Sequence, residues 1–228
     1  MDWDLYWKKA AEPARQGLYQ VIAKFYRDRI ISPSAASILS RHFHNTEGKN
    51  YLHAGCGSGG SDQRIPLERP GFHFMDISPV AIHLHRKQAM PLRRRYACGD
   101  IFRLPYASGS MDGIFNFGVM EHFTEPEIAR ILSEFKRVLK PDGRMVLFWP
   151  PDFGLSVIAL GAFLKAANAF RREPLKLFPD EVSRIHSFRW VRELMEKNHL
   201  RMLGAEFGPR DLFTYVAVVA APGGNGAA

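Results

Sequence analysis

The chain predicts an α/β fold with a doubly wound, mostly parallel sheet, and three observations carry that prediction. Apolar strand-like segments alternate with helical ones between residues 50 and 149, the pattern of repeated βα units. The first strand runs straight into a glycine loop, Tyr51-Leu52-His53-Ala54-Gly55-Cys56-Gly57-Ser58-Gly59-Gly60. The next two strand-like segments each end in an acid, Asp76 and Asp100. The C-terminal strand ends of an open α/β sheet face one crevice, where ligands bind. A glycine turn followed by two acids there suits a nucleoside-containing cofactor.

The first 45 or so residues read as helices. Leu18, Val21, Ile22, Phe25, Tyr26 and Ile30 recur at helical spacing and form one apolar face. Ser32-Pro33 then predicts a fresh helix start, with Ser32 as the cap and Pro33 in the first turn. Ala35, Ile38, Leu39 and Phe43 form the buried side of this helix. Trp3, Tyr6 and Trp7 cluster at the N-terminus, either packing against the domain or forming a flap over a ligand. Strands follow at about 50–54, 72–76, 95–99, 112–117 and 144–149. The segment after the glycine loop is interrupted by Pro66, which predicts a stunted first helix. Ser78-Pro79 opens the next helix, and Thr124-Glu125-Pro126-Glu127 is a capping box for the helix after strand four. Ile128, Ile131, Leu132, Phe135, Val138 and Leu139 form that helix's inner face.

Beyond Pro150-Pro151 the pattern changes. Residues 151–186 read as an inserted lid, an apolar helix followed by a basic linker, and a helix begins at Ser187. Two last strands, about 201–207 and 212–220, are joined through Gly208-Pro209-Arg210-Asp211, a link that implies an antiparallel hairpin. The expected sheet therefore has seven strands. The expected organisation is one domain over 1–220: an N-terminal helical cap (1–47), a cofactor-binding core (48–150), the lid (151–186), and the last helix with its hairpin (187–220). A disordered tail is expected over 221–228.

Composition narrows the function classes. The chain has 228 residues, a net charge of +8 and only two cysteines, Cys56 and Cys98. The charge permits an anionic partner, but no long basic tract or aromatic-and-basic stripe supports nucleic-acid binding. No CxxC pair exists, and no basic-then-apolar leader opens the sequence. A cytoplasmic protein with free thiols is the expectation. The longest apolar run, 155–164, is too short to span a bilayer.

The ordered motifs resemble those of the class I S-adenosylmethionine-dependent methyltransferases over about residues 48–220. They are Ala54-Gly55-Cys56-Gly57-Ser58-Gly59, Met75-Asp76-Ile77-Ser78-Pro79, Gly99-Asp100 with Leu104-Pro105, Met111-Asp112 with Glu121-His122, and Leu139-Lys140-Pro141-Asp142-Gly143-Arg144. The resemblance implies S-adenosyl-L-methionine as cofactor. It places His53, Ala54, Gly55, Cys56, Gly57 and Gly59 against the methionine part. Asp76 and Ile77 fall at the ribose, Asp100 and Ile101 at the adenine, and Asn116 and Phe117 offer backbone groups to the ammonium. Asp76 also reads as a helix cap, Asp112 as structural, and Cys56 as a small buried residue without a base to activate it. His53 departs from the family, which usually carries an acid there. Two alternatives share the glycine loop. Gly55, Gly57 and Gly60 also match the G-x-G-x-x-G pattern of an NAD(P)-binding oxidoreductase, and a non-catalytic cofactor-binding partner subunit is a third reading.

The implied chemistry is SN2 methyl transfer to a small-molecule acceptor, with oxygen the expected atom on the family's pattern. His186 is the first candidate base and His122 the second. No metal site is expected. The pairs His42/His44 and His83/His85 lie in predicted helices, where a spacing of two separates the side chains. The insertion's apolar residues (Leu155, Val157, Ile158, Leu160, Phe163, Leu164) and Phe153, Phe170 and Phe178 suit an apolar or aromatic acceptor. A peripheral membrane contact through Lys165, Arg171 and Arg172 is a further option.

Overall fold

The computed structural model describes residues 2–11, 18–43, 48–62, 65, 71–88, 95–169, 171 and 179–223. Its centre is a seven-stranded sheet in the order β3-β2-β1-β4-β5-β7-β6. The strands are β1 (Tyr51–Ala54), β2 (Phe72–Asp76), β3 (Arg95–Cys98), β4 (Met111–Phe117), β5 (Leu139–Trp149), β6 (Leu200–Glu206) and β7 (Val216–Pro222). The first five are parallel, and β7 is antiparallel to both β5 and β6. The order reverses at β1, so the crevice beyond β1 and β4 is the switch point where ligands bind such sheets.

Strand residues alternate between the two faces. Leu52, Ile114, Met145, Leu147 and Trp149 pack with α5 (Glu125–Val138) and α7 (Phe188–Lys197). Tyr51, Phe74, Phe115, Val146 and Phe148 pack with α3 (Ser32–His42) and with Ile82 of α4 (Pro79–Gln88). The expected capping box forms: Glu127 accepts from the Thr124 backbone N–H at 2.8 Å and from its hydroxyl at 2.7 Å. Ser187 caps α7 through Trp190 N–H at 3.1 Å.

Several boundaries move. Strand five begins at Leu139, directly after α5, because Leu139 pairs with Met111 before the ladder resumes at Arg144. The link between β6 and β7 runs through a short 3₁₀ turn, Pro209–Asp211, and β7 reaches Pro222, two residues past the expected end. Ser32 does not cap a new helix. α2 (Leu18–Tyr26) continues through a π-helical turn, Arg27–Ile31, into α3. Pro33 has no N–H and its ring crowds the preceding turn. The π turn, with Ser32 N–H bonded to the Arg27 carbonyl, takes up that strain without ending the helix. The Ser32 hydroxyl instead donates to the Ser61 carbonyl at 2.9 Å.

The N-terminal apolar face is not core. Val21, Ile22 and Phe25 of α2 are each more than half exposed, whereas Ala35, Ile38, Leu39 and Phe43 are buried as expected. α6 (Leu155–Asn168) matches the apolar helix of the insertion, yet none of its described side chains is buried. Most of the stunted helix, the basic linker with Phe170, Arg172 and Phe178, His44, and the tail over 224–228 lie outside the described residues.

Candidate functional site

The glycine loop has the geometry that its composition requires. Gly55, Gly57 and Gly59 adopt φ of 74°, 53° and 77°, conformations that L side chains rarely adopt. A Cβ on Gly55 would come within 2.8 Å of Val119, and one on Gly57 within 2.8 Å of the Trp7 ring. The loop is tied to β2 by Gly55 and Cys56 N–H groups donating to the Met75 carbonyl at 2.8 and 2.9 Å. Asp76 completes the tie. One carboxylate oxygen accepts from Gly57 N–H at 2.8 Å and the other from Ser78 N–H at 3.0 Å. Asp76 is therefore both loop anchor and cap of α4, and each oxygen keeps a lone pair for a ligand hydroxyl. Burial pushes its carboxyl above the usual range, against the pull of the Ser78 and Gly57 N–H groups. Ile77 next to it is half exposed. Cys56 is buried and its thiol is pushed well up by burial, which fits packing rather than nucleophilic chemistry.

The other strand ends meet the same crevice. Asp100, exposed, holds its own turn through Phe102 N–H at 2.9 Å, with Ile101 buried beneath it. Asn116 is fully buried, and neither atom of its amide has a partner among the described residues. Phe117 stacks on Phe148 at 4.2 Å. An unsatisfied buried amide is costly. One at a strand end on the switch point fits a place that a polar ligand completes.

Asp112, at the base of β4, is structural as expected. It accepts from Asn50 N–H at 2.9 Å and binds Lys140 at 2.8 Å and Lys49 at 3.2 Å.

Four features were not legible in the sequence. The first is the surroundings of His53. Its Nδ1 lies 3.0 Å from Oδ2 of Asp62, and the same oxygen lies 2.8 Å from Nε2 of His85. His85 Nδ1 meets the Tyr96 hydroxyl at 3.1 Å. All of His53, Asp62 and His85 are buried. Burial works to raise Asp62, but the imidazoles of His53 and His85 overcome it and hold the carboxyl well below its usual range. Unlike His85, His83 on the same helix is exposed.

The second is α1 (Trp3–Ala11), which straps the crevice. Trp7 covers Gly57, Asp4 accepts from the Ser78 hydroxyl, and the Trp3 ring meets His122 at 5.1 Å. Three residues of one helix thus touch the ends of β1, β2 and β4.

The third is Glu121. It is buried, its Oε2 has no partner among the described residues, and burial, reinforced by Glu181, raises its carboxyl to about 8. The segment that covers it returns from far along the chain: Val182 and Ser183 donate to the Glu121 carbonyl at 2.7 and 3.0 Å. Oε1 would lie 3.0 Å from a Cβ on Gly118, which would also stand 3.6 Å from the Tyr215 hydroxyl. The fourth is an aromatic rim: Phe153 meets Phe188 and Phe207 at 5.9 and 5.3 Å, and Phe207 meets Phe213 at 5.2 Å.

The two histidines singled out as bases sit apart from Glu121's buried setting. His122 Nδ1 is 2.9 Å from the Asp180 carbonyl. His186 pairs with Asp152, packs on Trp190 at 5.2 Å, and has a side chain 61% exposed. A base that must hold or release a proton in a shielded site gains little from such exposure.

Comparison with known proteins adds to this geometry. Residues 52–147 match the family model described as a methyltransferase domain. The chain is 30% identical over 106 residues to malonyl-[acyl-carrier protein] O-methyltransferase of Laribacter hongkongensis, covering 42% of this chain and 35% of the relative. It is 29% identical over 103 residues to phthiotriol/phenolphthiotriol dimycocerosates methyltransferase of Mycobacterium leprae, covering 44% of this chain and 37% of the relative. These matches span little more than a third of those relatives' own length. Among solved structures, magnesium protoporphyrin IX methyltransferase from Synechocystis PCC 6803, solved with bound SAH, superposes with a TM-score of 0.63. Identity there is 17%, with 95% of this chain and 92% of that one covered. The matched region takes in the glycine loop, both strand-end acids and β4. Over residues 52–147 the chain is thus similar to the methyltransferase domain family, and its fold superposes on that of a methyltransferase solved with bound SAH.

Proposed function

We propose that this chain binds S-adenosyl-L-methionine and transfers its methyl group to a small-molecule acceptor. The observation that carries the reading is the tie between loop and acid, the Gly57 N–H held at 2.8 Å on Asp76 at the switch point of the sheet. The cofactor would supply an activated methyl on a sulfonium. The chain's own groups then have three tasks: to hold the two ends of the cofactor, to align the acceptor, and to receive a proton. Asp76 and Asp100 provide carboxylates for the nucleoside, Ile77 and Ile101 flank them, and Asn116 and Phe117 close the methionine end. Alignment of donor and acceptor can supply on the order of 7–11 kcal/mol of the barrier.

On this reading oxygen is the methylated atom, an assignment favoured by the relative named as an O-methyltransferase. Glu121 is the first candidate for taking the acceptor's proton, since a shielded carboxyl titrating near 8 is suited to that task. His122, held by the Asp180 carbonyl, and His186, paired with Asp152, follow. The aromatic rim of Phe153, Phe188, Phe207 and Phe213, with α6 beside it, supports an apolar or aromatic acceptor. We read residues 1–220 as one methyltransferase domain, with α1 as a flap and 151–186 as a lid. A cytoplasmic location accords with two free cysteines. No described helix is long and apolar enough to cross a membrane. The basic end of α6 leaves a peripheral contact as an option.

The test is transfer of a labelled methyl group from S-adenosylmethionine to a panel of hydroxyl, carboxyl and amine acceptors with apolar bodies. Label should appear on oxygen in an apolar or aromatic member. Label on nitrogen or carbon alone would overturn the oxygen assignment, and label on none despite cofactor binding would favour the non-catalytic partner.

A further inference from the structure

The buried group under the glycine loop has no role in the reading above. His53 comes from β1, Asp62 from the chain just after the glycines, and His85 from α4. The three lie directly beneath the loop. A Cβ on Gly59 would fall 2.8 Å from the His85 ring, and Asp62 N–H donates to the Gly59 carbonyl at 3.1 Å. Among the described residues no lysine or arginine pairs with Asp62; its carboxylate is met by two imidazoles. The N···O separations of 2.8 and 3.0 Å are hydrogen-bond lengths. They are shorter than the edge of about 3.3 Å that a tetrahedral zinc site would set between its ligands.

This hydrogen bonding fixes the tautomer of His53. An ionised carboxylate only accepts, so in the neutral imidazole Nδ1 carries the proton and Nε2 is the acceptor. His53 Nε2 is buried without a partner among the described residues, and so is Oδ1 of Asp62. Both orphans are acceptors, so what the cluster lacks is a donor or a cation. Its position is next to the cofactor residues. The His53 ring stacks on Phe115 at 4.4 Å and meets Phe117 edge-on at 5.6 Å.

We propose that Asp62, acting through His53, supplies negative charge at the end of strand one, and that the pair holds the ammonium end of the cofactor. His53 Nε2 is the accepting atom. Asp62 is a positioning residue that sets the tautomer and supplies the negative charge one imidazole behind. His85, with Tyr96 on its far nitrogen, holds the Asp62 carboxylate in place. The assignment rests on the cofactor reading above and names which of this chain's groups meet that end of the cofactor.

The test is calorimetric titration with two ligands, S-adenosylhomocysteine and 5′-methylthioadenosine, the second of which keeps the nucleoside and lacks the amino-acid end. Asp62→Asn should weaken S-adenosylhomocysteine by about tenfold or more and 5′-methylthioadenosine by less than about threefold. The double variant His53→Asp/Asp62→Asn moves the carboxylate onto β1 and should recover most of the lost affinity. Equal weakening of both ligands would mean a merely structural cluster and would overturn the proposal, as would unchanged binding or no recovery in the double variant. His53→Phe, which keeps the stack on Phe115 and removes Nε2, must show the same ligand-selective loss if Asp62→Asn does not fold; equal binding there also overturns it. A wild-type chain that binds neither ligand would remove the cofactor reading itself, and this assignment with it. Tight wild-type binding that Asp62→Asn leaves intact would remove this assignment alone.

Discussion

The two ends of the site are built differently. The cofactor end is made by strand ends, buried acids and backbone N–H groups locked by short hydrogen bonds, as in the Gly57–Asp76 and Ser78–Asp76 pairs at 2.8 and 3.0 Å. The proposed acceptor end, beside α6, buries little: no described side chain of α6 is buried. A common cofactor can be met by a fixed cradle. An acceptor specific to one chain is met by apolar surface that the core does not need. The contrast teaches that stability and specificity are separated here. Changes at the cofactor end should disturb binding strongly, whereas changes on α6 should alter the choice of acceptor with little effect on folding.

The largest effect should come from Asp76→Ala. It removes the acceptor of two backbone N–H groups, each a charge-assisted bond of about 1.5–3 kcal/mol, together with the nucleoside's carboxylate. S-adenosylhomocysteine binding should fall by about a hundredfold or more in calorimetric titration. An unchanged affinity would break the comparison at its stronger end.

Glu121→Gln should come next, lowering turnover by about a hundredfold on whichever acceptor the labelled-methyl screen identifies, with cofactor affinity preserved. The wild-type rate should rise with pH toward a midpoint near 8 as Glu121 ionises, and the variant should lose that limb. The sign for stability is opposite. The folded carboxyl, raised from 4.5 to about 8, holds its proton more tightly than the unfolded one. Its contribution is fully present below about pH 4.5 and is lost as pH rises through about 8. Urea midpoints across that window should decline in the wild type and flatten in Glu121→Gln.

Trp7→Ala should be milder, because α1 is a strap with no buried residue of its own. A several-fold faster release of S-adenosylhomocysteine by stopped flow, with the melting temperature nearly unchanged, is expected on loss of its cover over Gly57. The smallest effect should be Ile158→Ser on α6. A side chain 54% exposed in the folded chain should change stability by less than about 0.5 kcal/mol. Phe135→Ala, in the core face of α5, should cost about 3–5 kcal/mol in the same urea titration. A comparable loss for Ile158→Ser would show α6 to be core, and the contrast between the two ends would fail.

How far the sequence foretold this site depended on range. The glycines and Asp76 lie within a few residues of strand ends, and local pattern alone places them. The capping box at Thr124 and Glu127 is equally local. Asp62 and His85 reach His53 from separate elements, so no spacing rule joins them, although His53 in place of an acid was a visible signal. Glu121 was visible only as half of the pair Glu121-His122, and what gives it its chemistry is burial by the returning segment at Val182 and Ser183. The attention given to His186 reflects its place before α7, yet its side chain lies on the surface beside Asp152. Ser32-Pro33 carried the correct statement that Pro33 sits in a first turn. It did not reveal that a π turn lets the helix run on through that turn.

The central claim is tested most directly by calorimetric titration of the purified wild-type chain with S-adenosylmethionine, S-adenosylhomocysteine and NAD. Saturable binding of the first two at one site, with no heat from NAD, is the predicted result. Binding of NAD alone, or of none of the three, would contradict it.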